Sequence, residues 1–324
     1  MRAIQIERFG GPDVMRLVDV PEPEPGAGQV RVRHRAIGLN FTDVYARTGL
    51  YPAPLPARLG VEGAGVIDAV GAGVTELAAG DRVAYAARGA GSYADARVLD
   101  AALVAKLPDS IDFARAAAMM LKGMTVDFLL RRTRTGLSPG DSLLWHAAAG
   151  GVGSIACQWA KALGYLVIGT AGSAAKCELA RAHGAAHAID YSCEDVVACV
   201  RELTSGRGVP VVYDSVGKDT WERSLDCLAP FGLMVSFGNA SGPVPPVPLL
   251  SLMQKGSLYV TRPTLGTHLA QPGAARAMAG ELFDMVTSGR VRIDAPREYP
   301  LADAARAHAD LEARRTTGQT VLIP

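Results

Sequence analysis

An α/β chain, in which a doubly wound parallel sheet joins a β-rich domain, is predicted by three features of the 324-residue sequence. Up to residue 124, short apolar runs alternate with Gly and Pro, as in QVRVRHRAIGLN (29–40), GAGVIDAVGAGV (63–74), GDRVAYAA (80–87) and GSYADARVLD (91–100). Such short strands at close turn spacing read as a barrel-like β domain. Beyond it, strands at 142–146, 165–170, 186–190, 209–214, 231–237 and 256–261 alternate with helical segments, the pattern of βαβ units and a parallel sheet. The third feature is WHAAAGGVGSIACQWAKALG (145–164), where small residues and glycines separate a buried strand from a regular helix.

Taken in order, the elements divide the chain into residues 1–124, 125–262 and 263–324. PEPEPGAG (21–28) is a stiff connector inside the first segment. The last segment returns to mixed character, with helices near 272–288 and 301–314 and a final strand QTVLI. Single cores rarely grow beyond about 250–300 residues, so two domains are expected. No internal repeat is visible.

Composition excludes several classes. Hydrophobic residues make up 49% and charged residues 20%, which is a globular balance. Lys plus Arg number 33 against 32 Asp plus Glu, and no basic block points to nucleic acid or an anionic membrane. No apolar segment approaches the ~18 residues of a membrane span. The first residues, MRAIQIERFGG, lack an apolar signal core. Five cysteines (157, 177, 193, 199 and 227) without CxxC spacing read as reduced thiols, so a cytoplasmic location is expected.

In the glycine-rich stretch, Ala148-x-Gly150-x-x-Gly153 is the fingerprint G-x-G-x-x-G with alanine at its first position. Ala149, Gly150, Gly151 and Val152 form the turn that a pyrophosphate approaches, at the positive end of the following helix. Gly153 allows the helix to pack closely on the strand. Val152, Ile155, Ala156, Trp159, Ala160 and Leu163 share one helix face.

The second strand decides which dinucleotide is expected. An NAD site places an acid at its end, for the ribose 2′-hydroxyl. Here YLVIGT runs into Ala171-Gly172-Ser173-Ala174-Ala175-Lys176 without one. Gly172 and Ser173 offer an N–H and a hydroxyl, Lys176 a positive charge, and Tyr191 a wall, to a 2′-phosphate. NADPH is therefore the expected cofactor. Ligands of such sheets lie beyond the carboxyl ends of the strands, which places Ser215 and Val216, then Phe237, Gly238, Asn239 and Ala240, around the nicotinamide half.

AIGLNFTDVYARTGLYP (36–52), KGMTVDFLLR (122–131), VVYDSVGKDTWERSLDCL (211–228), GLMVSFGNASG (232–242) and GSLYVTRP (256–263), together with the stretch at 145–164, resemble the medium-chain dehydrogenase/reductase superfamily. Specifically, the chain resembles its zinc-free quinone oxidoreductase (zeta-crystallin-like) branch, and bacterial NADPH:quinone reductases within it. The resemblance implies a Rossmann domain inserted into a GroES-like catalytic domain made from both chain ends. It also implies that Asn40, Asp43, Tyr45 and Tyr51 line the cleft, with Asn40 and the two tyrosines facing substrate. Lys122, Thr125, Thr261, Arg262 and Arg314 stand where the family contacts cofactor.

The zinc-bearing relatives carry Cys where this chain has Asn40 and His where it has Val61, and their structural zinc lobe needs four cysteines. No metal is expected. Without a Lewis acid, an alkoxide-like charge has little stabilisation, whereas a quinone spreads the added charge over its own ring. A quinone is therefore the expected substrate. Reduction of an activated carbon–carbon double bond is the alternative, and a non-enzymatic NADPH-binding crystallin-like or RNA-binding role the third reading. The sixth strand, with Leu258, Tyr259 and Val260, reads as an apolar sheet edge that a second copy would cover, giving a homodimer.

Overall fold

Six strands form the parallel sheet: Ser142–Trp145, Leu166–Ala171, His187–Asp190, Val209–Asp214, Leu228–Ser236 and Tyr259–Thr261. Numbered along the chain, they lie in the order 3-2-1-4-5-6, and each runs parallel to its neighbours. These coordinates are a computed structural model, which describes residues 1–87, 89–134 and 136–324. The described residues form two compact units. One comprises Met1–Met124, Gly266–Gly289 and Ile293–Pro324, the other Thr125–Leu265 and Arg290–Arg292.

In the second unit, the helices Gly151–Ala162, Ala174–Ala182, Val196–Leu203 and Trp221–Cys227 alternate with the first five strands. Apolar strand residues Leu144, Ile168, Ile189, Val212 and Met234 meet Val196, Val200, Trp221 and Leu225 from these helices in one core. The helix after the first strand is more enclosed than one apolar face requires. Gly153 through Cys157, Trp159 and Ala160 are all buried. The small residues flanking Ile155 and Trp159 permit this, because Gly, Ala, Ser and Cys add little girth. The chain also adds a five-residue π-helical turn, Leu129–Thr133, which periodicity does not foretell.

The sixth strand is shorter than its apolar run suggests. Leu258 is buried in the core, and only Tyr259–Thr261 pair with the fifth strand. Its sequence reading as part of the exposed edge is therefore corrected, and the reason is simple: the chain is still entering the sheet at Leu258, with its side chain turned inward. Tyr259, at 57% exposure, and Val260 remain on the edge.

The first unit is built on Gln29–Gly38, which pairs antiparallel with Glu62–Val70, Ala96–Asp100 and, at its far end, Thr320–Ile323. Arg82–Ala86 and Ala105–Lys106 extend this sheet on one side, and Arg297–Pro300 joins Thr320–Ile323 in parallel on the other. Arg2–Ile6, Met15–Asp19 and Ala57–Arg58 form a separate antiparallel sheet. Ile4, Ile6, Ile37 and Leu39 from the start of the chain share a core with Tyr299, Leu301, Ala307 and Leu322 from its end.

Candidate active site and cofactor site

Gly150 is the N-cap of the helix Gly151–Ala162 and brings no side chain to its first turn. The turn before it is tight: Ala147 has φ 54°, and its carbonyl accepts the Gly150 N–H at 2.9 Å. An L-residue in this region signals a backbone held by its surroundings. A Cβ at Gly153 would lie 2.4 Å from the Ala147 oxygen and 2.6 Å from that of Ala148. Helix and turn touch there without room for one carbon. The alanine at the first fingerprint position has its own explanation. A Cβ at Gly169 on the second strand would stand 2.6 Å from the Ala148 methyl, so Gly169 leaves the room that this methyl occupies. Ala149 is buried, while Gly150, Gly151 and Val152 are partly exposed.

Beyond the second strand, Ser173 caps the helix Ala174–Ala182, its Oγ accepting the Lys176 N–H at 3.4 Å. Lys176 therefore stands in the first helical turn. Tyr191 lies over Gly172, where a Cβ would come within 2.6 Å of its hydroxyl. Gly172, Ser173, Lys176 and Tyr191 are thus gathered in one corner. The nearest buried acid, Asp190, ends the third strand, and its Oδ1 accepts the N–H and hydroxyl of Ser192.

A buried polar chain holds the next loop. Asp214 Oδ1 accepts the N–H groups of Val216 and Gly217 at 2.7 and 3.0 Å, and Oδ2 accepts the hydroxyls of Thr220 and Ser224. Because Ser224 gives its proton to Asp214, His146 Nε2 must donate to Ser224 Oγ, at 2.9 Å. Nδ1 then accepts from Thr170 Oγ1, also at 2.9 Å. Burial pushes His146 below its ordinary pKa, so it bridges the strand ends as a neutral ring.

Gly238 presses on Ser215, where a Cβ would lie 2.3 Å from its carbonyl oxygen, and Ala240 N–H bonds that same oxygen at 3.2 Å. Phe237 packs on Trp145, with ring centroids 5.7 Å apart. Arg262, after Thr261, donates to Ser236 Oγ and the Gly238 carbonyl. The Asn239 amide, oriented with its nitrogen toward the Gly238 carbonyl, accepts from Arg262 Nη2 at 3.0 Å. The loops after the fifth and sixth strands are therefore tied together. Thr125 begins this unit and is partly exposed.

In the first unit, Asn40 opens the helix Phe41–Thr48. Its Nδ2 donates to Glu62 Oε2 at 2.7 Å, and its backbone N–H donates to Asp43 Oδ2 at 2.9 Å. Asp43 also accepts the Tyr93 hydroxyl at 3.1 Å, and burial pushes its carboxyl up to about 7. Its side chain is turned into the domain, where it fixes the helix start. Tyr45 and Tyr51 meet edge to face with centroids 5.2 Å apart; Tyr45 is buried and Tyr51 exposed. Lys122 is buried with its Nζ 3.4 Å from Glu62 Oε2. Asn40, Asp43 and Lys122 are joined in this way through Glu62 and the helix start. Arg314 stands on the exposed turn after the helix Ala304–Glu312, its N–H on the Leu311 carbonyl, and no hydrogen bond between described residues joins it to that group.

Sequence reasoning missed Glu62, which is fully buried, and its only signal was a charge inside the apolar, glycine-rich run LGVEGAG. It also missed the chain behind Asp43. Arg47 has no acceptor capacity, so His308 Nδ1 accepts from its Nη1 at 3.1 Å and the ring proton sits on Nε2. That nitrogen donates to the Tyr93 hydroxyl at 3.0 Å, and Tyr93 donates to Asp43.

Two family models match the chain: the alcohol dehydrogenase GroES-like domain over residues 26–109 and the zinc-binding dehydrogenase over residues 151–280. A quinone oxidoreductase of Pseudomonas aeruginosa is 58% identical over 100% of this chain and 99% of its own length. The chain belongs to the quinone oxidoreductase branch of the medium-chain dehydrogenase/reductase superfamily. The Escherichia coli quinone oxidoreductase complexed with NADPH has the same fold, with a TM-score of 0.98 at 49% identity and full coverage of both chains. A 2-haloacrylate reductase of a Burkholderia species is 42% identical over 99% of this chain and 98% of its own.

The second family name raises the question of a metal. Zinc takes about four donors, of His, Cys or carboxylate type in a protein site. Val61 has no donor atom, Asn40 turns its N–H toward Glu62, and the Glu62 charge is already opposed by the Lys122 ammonium. Among the described residues no group of three His, Cys, Asp or Glu is placed to hold a metal ion. These residues do not fit zinc. They do fit NADPH: glycines keep side chains out of the turn at the helix N-terminus, and the segment 171–176 after the second strand carries Lys176 and no acid.

Proposed function

We propose that this protein reduces quinones with NADPH and without a metal, in the domain plan 1–124, 125–262 and 263–324. The observation that carries this reading is that Asn40, where the zinc-bearing relatives place a cysteine ligand, is an amide held with Lys122 on one Glu62 oxygen. NADPH, when bound, supplies a hydride. The residues of this chain bind and orient. Ala149 to Val152 receive the pyrophosphate at the helix N-terminus, and Gly172, Ser173, Lys176 and Tyr191 receive the 2′-phosphate. Ser215, Val216, Phe237 to Ala240, Thr261 and Arg262 hold the nicotinamide half, and Thr125 and Arg314 complete the cofactor's surroundings; Asp43, buried beneath the helix start, supports Asn40 instead of touching the cofactor. Lys122 stands on the cofactor's side of Asn40, Asn40 presents an N–H group to the oxygen on which charge develops, and Tyr45 and Tyr51 stack against the ring.

The test is NADPH oxidation followed with 1,4-benzoquinone, 2-chloroacrylate and a primary alcohol in parallel, with and without a strong chelator. Rapid turnover of the quinone, unaffected by chelator, is expected, and turnover only of the alcohol or chelator-sensitive turnover refutes the reading. The identity to a 2-haloacrylate reductase supports reduction of an activated double bond as a second activity, which the chloroacrylate arm measures.

The same reading places the protein in the cytoplasm as a homodimer. No helix among the described residues is long and apolar enough to cross a membrane. The sixth strand has one partner strand, and Tyr259 and Val260 on it continue into Phe231 and the helix Leu249–Gln254, which buries none of its residues. Leu249 is 81% and Met253 60% exposed. An unpaired edge beside an apolar face of this kind is what a second copy, related by a two-fold axis, would cover. Sedimentation is expected to show a dimer, shifted toward monomer in Leu249→Glu/Met253→Glu. Both positions are exposed, so the fold should survive. A parent protein that sediments as a monomer at micromolar concentration contradicts the dimer.

A further inference from the structure

A buried carboxylate is tolerated only where donors meet it from every side. Glu62 is fully buried, and three donors converge on it. Oε1 accepts the Leu121 N–H at 2.6 Å, and Oε2 accepts Asn40 Nδ2 at 2.7 Å and Lys122 Nζ at 3.4 Å. Lys122 Nζ also donates to the Leu39 carbonyl at 3.4 Å. The backbone leaves space for this arrangement. A Cβ at Gly38 would stand 2.1 Å from Glu62 Oε2 and 2.4 Å from the Ala117 carbonyl, so only glycine leaves the carboxylate its place.

Asn40 and Lys122 are therefore not independent polar groups. Both are fixed by one oxygen, Glu62 Oε2. Because the amide is planar, a bond from Nδ2 to that oxygen also fixes where Oδ1 and the second N–H point. The ammonium is held at the same oxygen, with its charge opposed by the carboxylate rather than by solvent. We propose that Glu62 is a positioning residue for quinone reduction: it sets the direction of the Asn40 amide toward the substrate oxygen, with the Lys122 ammonium as its counter-charge. The inference rests on the reading that Asn40 meets the substrate. Groups aligned before reaction stabilise developing charge without having to reorganise, and a small misalignment is costly.

Glu62→Gln is the sharpest test, since the shape is kept while one oxygen becomes an NH2 group facing N–H donors. Steady-state kinetics with 1,4-benzoquinone and NADPH should show kcat/KM lowered tenfold or more. The loss should disappear in an Asn40→Ala background: if Glu62 acts through Asn40, the double variant is no slower than Asn40→Ala alone. A residue that merely supports the fold would give losses that multiply. Glu62→Asp keeps the charge opposite Lys122 but retreats from Asn40 by one methylene, and it carries the same cycle if the glutamine variant does not fold. Unchanged kcat/KM in both Glu62 variants, or multiplicative losses, overturns the proposal alone. An unchanged Asn40→Ala enzyme overturns the substrate role of Asn40 and the proposal with it.

Discussion

Arg47→Ala is expected to lower the stability of the protein by about 3–5 kcal/mol, the usual cost of breaking a buried ion pair by removing one partner. Arg47 is fully buried and ends four separate interactions. Nη1 and Nη2 donate to the two carboxylate oxygens of Glu312 at 2.7 and 2.9 Å, Nε donates to the Gly10 carbonyl at 3.0 Å, and Nη1 meets His308. Alanine leaves a cavity, an unanswered carbonyl and a partly buried carboxylate. Urea unfolding measures the loss, and a change under about 1 kcal/mol would put the pair among ordinary surface salt bridges. A second readout is the His308 ring. Burial first, and the Arg47 charge second, hold its pKa down to about 3. Folded His308 thus stays neutral while the unfolded ring takes up a proton. Its contribution is present above the ordinary histidine pKa of 6.5 and is lost progressively as pH falls from there toward 3. Without Arg47 the folded pKa should rise but remain below 6.5, since burial persists, and a histidine NMR titration reports it.

Lys176→Ala should weaken NADPH binding by about 1.5–3 kcal/mol, roughly tenfold to more than a hundredfold, and leave NADH nearly unchanged. The difference between the cofactors is one phosphate, and Lys176 stands in the first turn of the helix that Ser173 caps. Because Lys176 is partly exposed, the effect belongs to low ionic strength and should shrink as salt is added. Titration of intrinsic fluorescence with each cofactor gives both constants. Equal losses for NADPH and NADH would show that Lys176 does not read the phosphate.

The parallel sheet was legible because its strands are apolar runs punctuated at regular intervals, and their alternation with helices makes the sheet parallel. The phosphate turn was legible for the same reason: its residues are neighbours in sequence. What escaped is long-range pairing. The link from Arg47 to His308 spans 261 residues, and no local pattern in either segment announces it. Ala148 looked like a defect in the fingerprint until Gly169 was seen opposite it. Leu258 illustrates the limit of an apolar run, which shows that side chains are hidden somewhere but not on which side of the strand's entry. Glu62 is one charge in the apolar, glycine-rich run LGVEGAG, and its partners Asn40 and Lys122 lie 22 and 60 residues away.

The last strand of the chain, Thr320–Ile323, closes a sheet whose central strand, Gln29–Gly38, is made near the beginning. During synthesis these segments are separated by the entire inserted unit. At about 5–20 residues per second, the wait is on the order of tens of seconds. Throughout that interval Gly38 and Ile37 lack the partners Val321 and Leu322, and Arg47 lacks Glu312 and His308. The segment Thr125–Leu265, which makes up the second unit apart from Arg290–Arg292, has its strands and helices available earlier. Nascent chains are therefore expected to acquire the dinucleotide fold first, with the first unit waiting for Thr320–Ile323 to be made. Truncating the chain before residue 320 should leave a species whose second unit is protected from protease while its N-terminal domain is not.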